Sequence, residues 1–245
     1  MYRRRVFYIP GYDPIPPRRY RELYRKESAA QAEISGYEIG LTAKAASSGS
    51  YGWRVQSTIE DSRTTTDIEV LVWSDIVRAS MDSSILATYL QLIQTAWIYI
   101  STGALGRLAK LRKGPVIAAF YPVGMLFAQA LLAGLLVWGT ARACIGVAGL
   151  FSASGFFVQV TSLLFGLLLG TGVLRWFKKL DGKFFAYYLM HDYAYSASSR
   201  GAYSPDLEGR ISEFTAIIRT ALNDDQLDEV LVVGHSSGAH IAVSV

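Results

Sequence analysis

The chain of 245 residues and 27.0 kDa is 51% apolar and only 18% charged, with a mean hydropathy of +0.24. Such a balance excludes a disordered chain and points to segments that meet lipid. The 24 Lys and Arg outnumber the 20 Asp and Glu, but they fall in separate clusters at 3–5, 18–26, 107–113 and 175–183 rather than one stripe, so no nucleic-acid partner is expected. The lone Cys144 excludes a disulfide scaffold and a cysteine-based zinc site.

Along the chain, Arg3, Arg4 and Arg5 precede the apolar run Val6-Phe7-Tyr8-Ile9, which stops at Pro10-Gly11. That run is too short for a signal peptide and reads as a buried strand entering a turn. A proline-rich loop at 12–17 leads to a helix over 18–35 that Gly36 ends. Its Arg18-Arg19-Tyr20-Arg21 run reads as a solvated face. β-branched and aromatic residues predict strands at 37–44, 53–60 and 67–73, the first two as a hairpin and the last inside a sheet. Asp75 and Asp82 read as helix caps.

No charge lies between Asp82 and Arg107, yet Thr88, Gln91, Gln94 and Thr95 interrupt the apolar residues. This predicts an amphipathic helix lying against a membrane or the protein body, not a span. Beyond the basic residues 107–113, the charge-free stretch 115–140 is long enough to cross a bilayer. A second uncharged stretch follows Arg142, with Ser152-Ala153-Ser154-Gly155 as a break before a span at 156–174. Basic residues outside both spans, and only Arg142 in the loop between them, predict a hairpin with both outer ends cytoplasmic. Trp138 and Trp176-Phe177 are expected at the span ends. Ser204-Pro205-Asp206 then opens a helix reaching 222, and Glu229-Val230-Leu231-Val232-Val233-Gly234 reads as a buried strand before a small-residue helix beginning at Ser237.

The segment Gly234-His235-Ser236-Ser237-Gly238 has the form G-x-S-x-G, set between an apolar strand and a helix start. A nucleophile elbow has this spacing because the serine occupies a sharp, strained turn. Gly234 and Gly238 let strand and helix approach, so that Ser236 Oγ projects from the sheet edge and the Ser237 N–H faces an oxyanion. No other grouping of His, Cys and carboxylates has metal-ligand spacing, and no cofactor is expected.

At this motif the chain resembles the α/β-hydrolase superfamily. The likeness extends to the strand ending Ile9-Pro10-Gly11-Tyr12, which is similar to the family's oxyanion strand with Pro10 in place of the usual histidine. The resemblance implies a mostly parallel α/β sheet carrying an inserted transmembrane hairpin. It divides the chain into an N-terminal core part (1–82), an amphipathic or interfacial helix (83–114), the hairpin (115–176), and a core continuation bearing the elbow (177–245).

The resemblance further implies acyl-serine chemistry on an ester, thioester or amide, with Ser236 as nucleophile and N–H groups of Ser237 and of Gly11 or Tyr12 as oxyanion donors. The expected partners are the bilayer and a small or acylated substrate, and the expected location is a plasma or inner membrane. In the family the acid and histidine follow the serine. Here His240 is the sole candidate after it, and it lies one turn along the same helix, as a packing or surface residue. His235 reads as a turn-shaping residue, and His191-Asp192 as a polar loop near the membrane. The sequence is therefore expected to be a fragment whose triad histidine lies elsewhere. A non-catalytic scaffold and an acyltransferase are the alternatives.

Overall fold

The computed structural model describes residues 2–43, 50–81, 84–111, 113–152 and 155–245. In chain order the first part contains β1 (Tyr2–Ile9), α1 (Arg18–Ser35), β2 (Glu38–Ala43), β3 (Gly52–Ile59), β4 (Ser62–Val70) and α2 (Ser74–Met81). A helical stretch follows, with α3 (Ile85–Ser101), α4 (Ala104–Leu111), α5 (Lys113–Leu150), α6 (Phe156–Lys179), α7 (Asp181–Phe184) and α8 (Ala186–Ser198). The chain then returns to α9 (Pro205–Leu222), β5 (Glu229–Gly234) and α10 (Ser237–Ala242). Two compact units result: Met1–Ser80 with Tyr203–Val245, and Met81–Ala202.

The first unit is a mixed α/β layer whose five strands run in the order β2-β3-β4-β1-β5. Strand β1 pairs in parallel with both β4 and β5, whereas β2–β3 and β3–β4 are antiparallel. The sheet is thus mixed, not mostly parallel. The β3–β4 pairing departs from expectation because Glu60 and Asp61 both adopt positive φ (48° and 63°), which makes a two-residue hairpin turn and starts β4 at Ser62.

Strand β1 also begins earlier than the apolar run suggested, at Tyr2. Its arginines pair across the sheet instead of forming a free basic patch. Arg4 binds Glu229, and Arg5 Nε donates to Glu69 Oε1 at 3.0 Å, although Glu69 is only 2% exposed. On one face Trp53, Val55, Ile68 and Val70 pack with Val6 and Tyr8 and with Tyr20 and Tyr24 of α1. Phe7, Ile9 and Leu71 are fully buried as well. Gly36 ends α1 in the left-handed region (φ 69°), and the Ser204 hydroxyl accepts from Leu207 N to start α9.

Asp75 is not a cap. Its carboxylate receives both Arg210 Nη1 and Nη2, at 3.0 and 2.7 Å, while Nη1 also donates to Val72 O, tying α9 to the end of β4. Asp82 lies outside the described residues. The hydrogen bond from Arg210 is the main reason that the Asp75 carboxyl sits below the usual carboxylate range. A carboxyl depressed on folding stabilises the protein above about pH 4, and that contribution disappears as the pH falls through the folded value. Thermal unfolding across pH should therefore show a constant gap between wild type and Asp75→Asn from neutral pH to about pH 4, closing below it. The gap should stay under about 1 kcal/mol, because Asp75 is largely exposed.

The second unit is patterned inside out. Helix α3 buries Thr88 and Thr95 while Leu86, Leu90, Ile93, Trp97 and Ile100 stay 58–70% exposed. Helix α6 buries Ser162, Gly166 and Gly170 and leaves its leucines outside. Two helices, Val116–Leu150 and Phe156–Lys179, are long and apolar enough to cross a membrane.

They pack through Gly-x-x-x-Gly: a Cβ on Gly166 would stand 2.6 Å from Val137 O, and one on Gly170 2.6 Å from Val137 Cγ2 and 3.2 Å from Ala133 O. Arg142 lies inside α5, not in a connecting loop, because Thr140-Ala141-Arg142-Ala143 contains no helix breaker. Trp138 is consequently well inside the helix. His191-Asp192 belongs to α8 rather than to a loop. His191 is buried with its Nδ1 3.0 Å from Gln91 Oε1, and burial lowers its pKa.

Candidate active site

The strand–turn–helix of the first unit brings the motif residues together. The last β5 residue, Gly234, registers with Ile9, and His235 N donates to Ile9 O at 3.1 Å. The chain then reverses at Ser236, whose φ 54° and ψ −125° lie in a region that residues with a side chain rarely occupy. Ser236 is exposed. Helix α10 starts at once: Gly238 N donates to His235 O and Ala239 N to Ser236 O, each at 2.9 Å.

The turn is this tight only because of its glycines. A Cβ at Gly238 would meet Ile9 O and Pro10 O at 2.3 Å, and one at Gly234 would meet Gly238 O and Ala239 Cα at 2.5 Å. The Ser236 conformation costs on the order of 1–3 kcal/mol in a non-glycine residue. Ser236→Gly should accordingly unfold at a higher temperature than wild type, whereas Ser236→Ala should not.

The loop after β1 lies against this turn. Gly11 is buried, and a Cβ there would be 3.0 Å from both Ser236 Cβ and His235 O. The loop is pinned along its length. Trp73 Nε1 donates to Pro10 O at 2.8 Å, and Tyr12, only 2% exposed, bonds Ser80 Oγ at 2.6 Å and meets Trp73 edge-on. Asp13 accepts from Ile15 N and from Tyr20 Oη, each at 2.9 Å. Sequence reasoning missed Trp73, Ser80 and Asp13 as its supports. Their partners lie 63, 68 and 7 positions away, and no local pattern announces the two long contacts.

Ser237 opens α10 and is partly buried. His240 Nδ1 is 3.2 Å from Tyr203 Oη, which also contacts Ser244 Oγ at 2.6 Å, so this imidazole is engaged at the far side of the short helix. His235 is exposed in the turn. Among the described residues, no hydrogen bond links the Ser236 hydroxyl to an imidazole or a carboxylate, and no group of three His, Cys, Asp or Glu has a metal-binding arrangement.

The geometry defines a mixed α/β unit with an exposed serine at a strained strand-to-helix turn, beside a rigid loop. Comparison with protein-family models, curated proteins and solved structures finds no match to the chain.

Proposed function

We propose that the protein is a membrane-anchored serine hydrolase of the α/β-hydrolase type that cleaves an ester, thioester or amide through an acyl-serine intermediate on Ser236. The observation that carries this reading is the strained, exposed conformation of Ser236 at the end of β5. Strain held in place by three tightly packed backbones is the signature of a hydroxyl kept projecting for attack.

In the proposed step Ser236 Oγ attacks the carbonyl carbon as its proton passes to a histidine base. The carbonyl oxygen takes the negative charge between main-chain N–H groups of Ser237 and of Gly11 or Tyr12. Collapse then expels the alcohol, thiol or amine with that proton, and water repeats the sequence on the acyl-enzyme. The full-length protein in its membrane should hydrolyse short p-nitrophenyl acyl esters, with Ser236→Ala lowering kcat at least about a thousandfold.

The membrane part of the proposal is a two-helix hairpin of α5 and α6 with both outer ends cytoplasmic. Support comes from the exposed leucines, the Gly166 and Gly170 contact, and the charges. Arg142 and Arg175 each lie about seven residues from the level of that contact, on opposite sides, so about 21 Å of charge-free helix separates them. With both side chains reaching outward, that spacing suits a hydrocarbon core of about 30 Å. Reporter fusions after Leu150 and after Lys183 should report opposite sides of the membrane.

A second reading, a non-catalytic scaffold, draws on the absence of any hydrogen bond from Ser236 to a base among the described residues. Ester hydrolysis unaffected by Ser236→Ala would favour it.

A further inference from the structure

The outward face of α3 carries no assigned role in the hydrolase reading. Leu86, Leu90, Ile93, Trp97 and Ile100 recur at strict 4-3-4-3 spacing and are 58–70% exposed, and α3 contains no charged residue. The large side chains that stay exposed form a narrow stripe bordered by exposed Gln94 and Ser101, the shape of a helix-on-helix seam, while Ile85, Leu92 and Ile98 are partly buried.

The position of α3 along α5 bears on what covers it. The contacts of Gly166 with Val137 and of Gly170 with Ala133 set α5 and α6 antiparallel, which brings the basic end of α6 at Lys179 level with Gly124. Helix α5, 38 residues and about 57 Å long, therefore overshoots a 30 Å core by its N-terminal turns. Helix α3 lies beside that overshoot: Tyr89 Oη donates to Leu126 O at 3.0 Å, and Tyr99 and Ile100 share a groove with Ala119 and Phe120. The Trp97–Ile100 end of the seam thus stands beyond the hydrocarbon, and its Ile93 end reaches the edge of the core beside Phe127 and Ala130.

We infer that this seam binds a second copy of the chain. At these exposures the five side chains leave about 600 Å² uncovered, and Phe120 and Phe127, which line one groove with Ile93, extend the patch toward the about 800 Å² that each partner contributes to a standard interface. Monomers rarely leave a continuous apolar patch of this size open. Copies sharing one membrane are related by an axis along its normal, so the seam meets itself with equivalent residues opposed.

The inference goes beyond the hydrolase reading and rests on the hairpin only for the claim that the Trp97–Ile100 end of α3 lies beyond the hydrocarbon. Its test uses the full-length protein in native membranes with Cys144→Ser and one new cysteine at a time. Leu90→Cys and Ile93→Cys should form a disulfide-linked species of twice the monomer mass under mild oxidation, and Leu135→Cys, on the exposed face of α5, should not. Absence of the linked species at both seam positions, or equal linkage at Leu135→Cys, would overturn the self-association. Reaction of Leu135→Cys with a water-soluble maleimide would instead show that the hairpin reading is wrong, whatever the seam does.

Discussion

Gly238→Ala should destabilise the first unit by about 3 kcal/mol or more and abolish whatever reaction Ser236 supports. A methyl at this position falls 2.3 Å from two carbonyl oxygens, Ile9 O and Pro10 O, and both belong to backbone that cannot turn aside as a side chain can. Relief requires α10 to move off β1, or the Pro10 carbonyl to leave Trp73 Nε1, which would carry Gly11 away from Ser236. Gly234→Ala, with contacts at 2.5 Å, should follow closely, and Gly11→Ala, at 3.0 Å, should cost less. Gly36→Ala provides the control. Nothing lies within 4 Å of its Cβ, so only the left-handed backbone is penalised, by about 1 kcal/mol. Thermal unfolding of the detergent-solubilised variants should give this order, and equal effects at Gly238 and Gly36 would mean that the helix does not press on the strand as described.

Arg5→Ala is the second change with a large expected effect. Glu69 is 2% exposed and bonds the Arg5 guanidinium across the parallel β1–β4 pair. Removing the cation takes the Arg5 charge away from a buried carboxylate that it neutralises, at a cost of about 3–5 kcal/mol. Replacing both residues by apolar side chains of similar volume, as in the Arg5→Met, Glu69→Leu double variant, should restore most of the loss, since neither charge is then left uncompensated. Denaturation in urea distinguishes the outcomes: a double variant as unstable as Arg5→Ala would show that the pair contributes more than mutual neutralisation.

The parts of this fold that were legible in the sequence are those fixed by neighbouring residues. Helix α1 ends where Gly36 supplies a left-handed cap, α9 starts where Ser204 precedes Pro205, and β5 forms at the apolar run stopped by Gly234, although it lies at the edge of the described sheet with Leu231, Val232 and Val233 exposed and not, as the run suggests, buried. The strand-to-helix turn at 234–238 belongs to the same class by its glycine spacing, although Ile9 and Pro10 press on Gly238 from a distant part of the chain. What was not legible depends on distant partners or on surroundings. Glu60-Asp61 is an unusual pair for a primed turn, so the β3–β4 hairpin gave no local sign.

Arg142 reads as a loop residue because it interrupts an apolar run, yet one cation flanked by Ala141 and Ala143 does not end a helix. The polar residues of α3 were visible, but sequence periodicity cannot tell which face looks inward, and Thr88 and Thr95 are the buried ones. The Gly166 and Gly170 spacing is a local signal that the sequence reading passes over, and it marks the α5–α6 contact directly.

The central claim, that Ser236 is a nucleophile held ready by its turn, is tested most directly by treating the full-length protein in its membrane with a fluorophosphonate and mapping the adduct by peptide mass spectrometry. The account predicts one phosphonylated residue, Ser236, and no adduct in Ser236→Ala. Labelling of equal extent in both proteins, or an adduct carried on another serine, would contradict it.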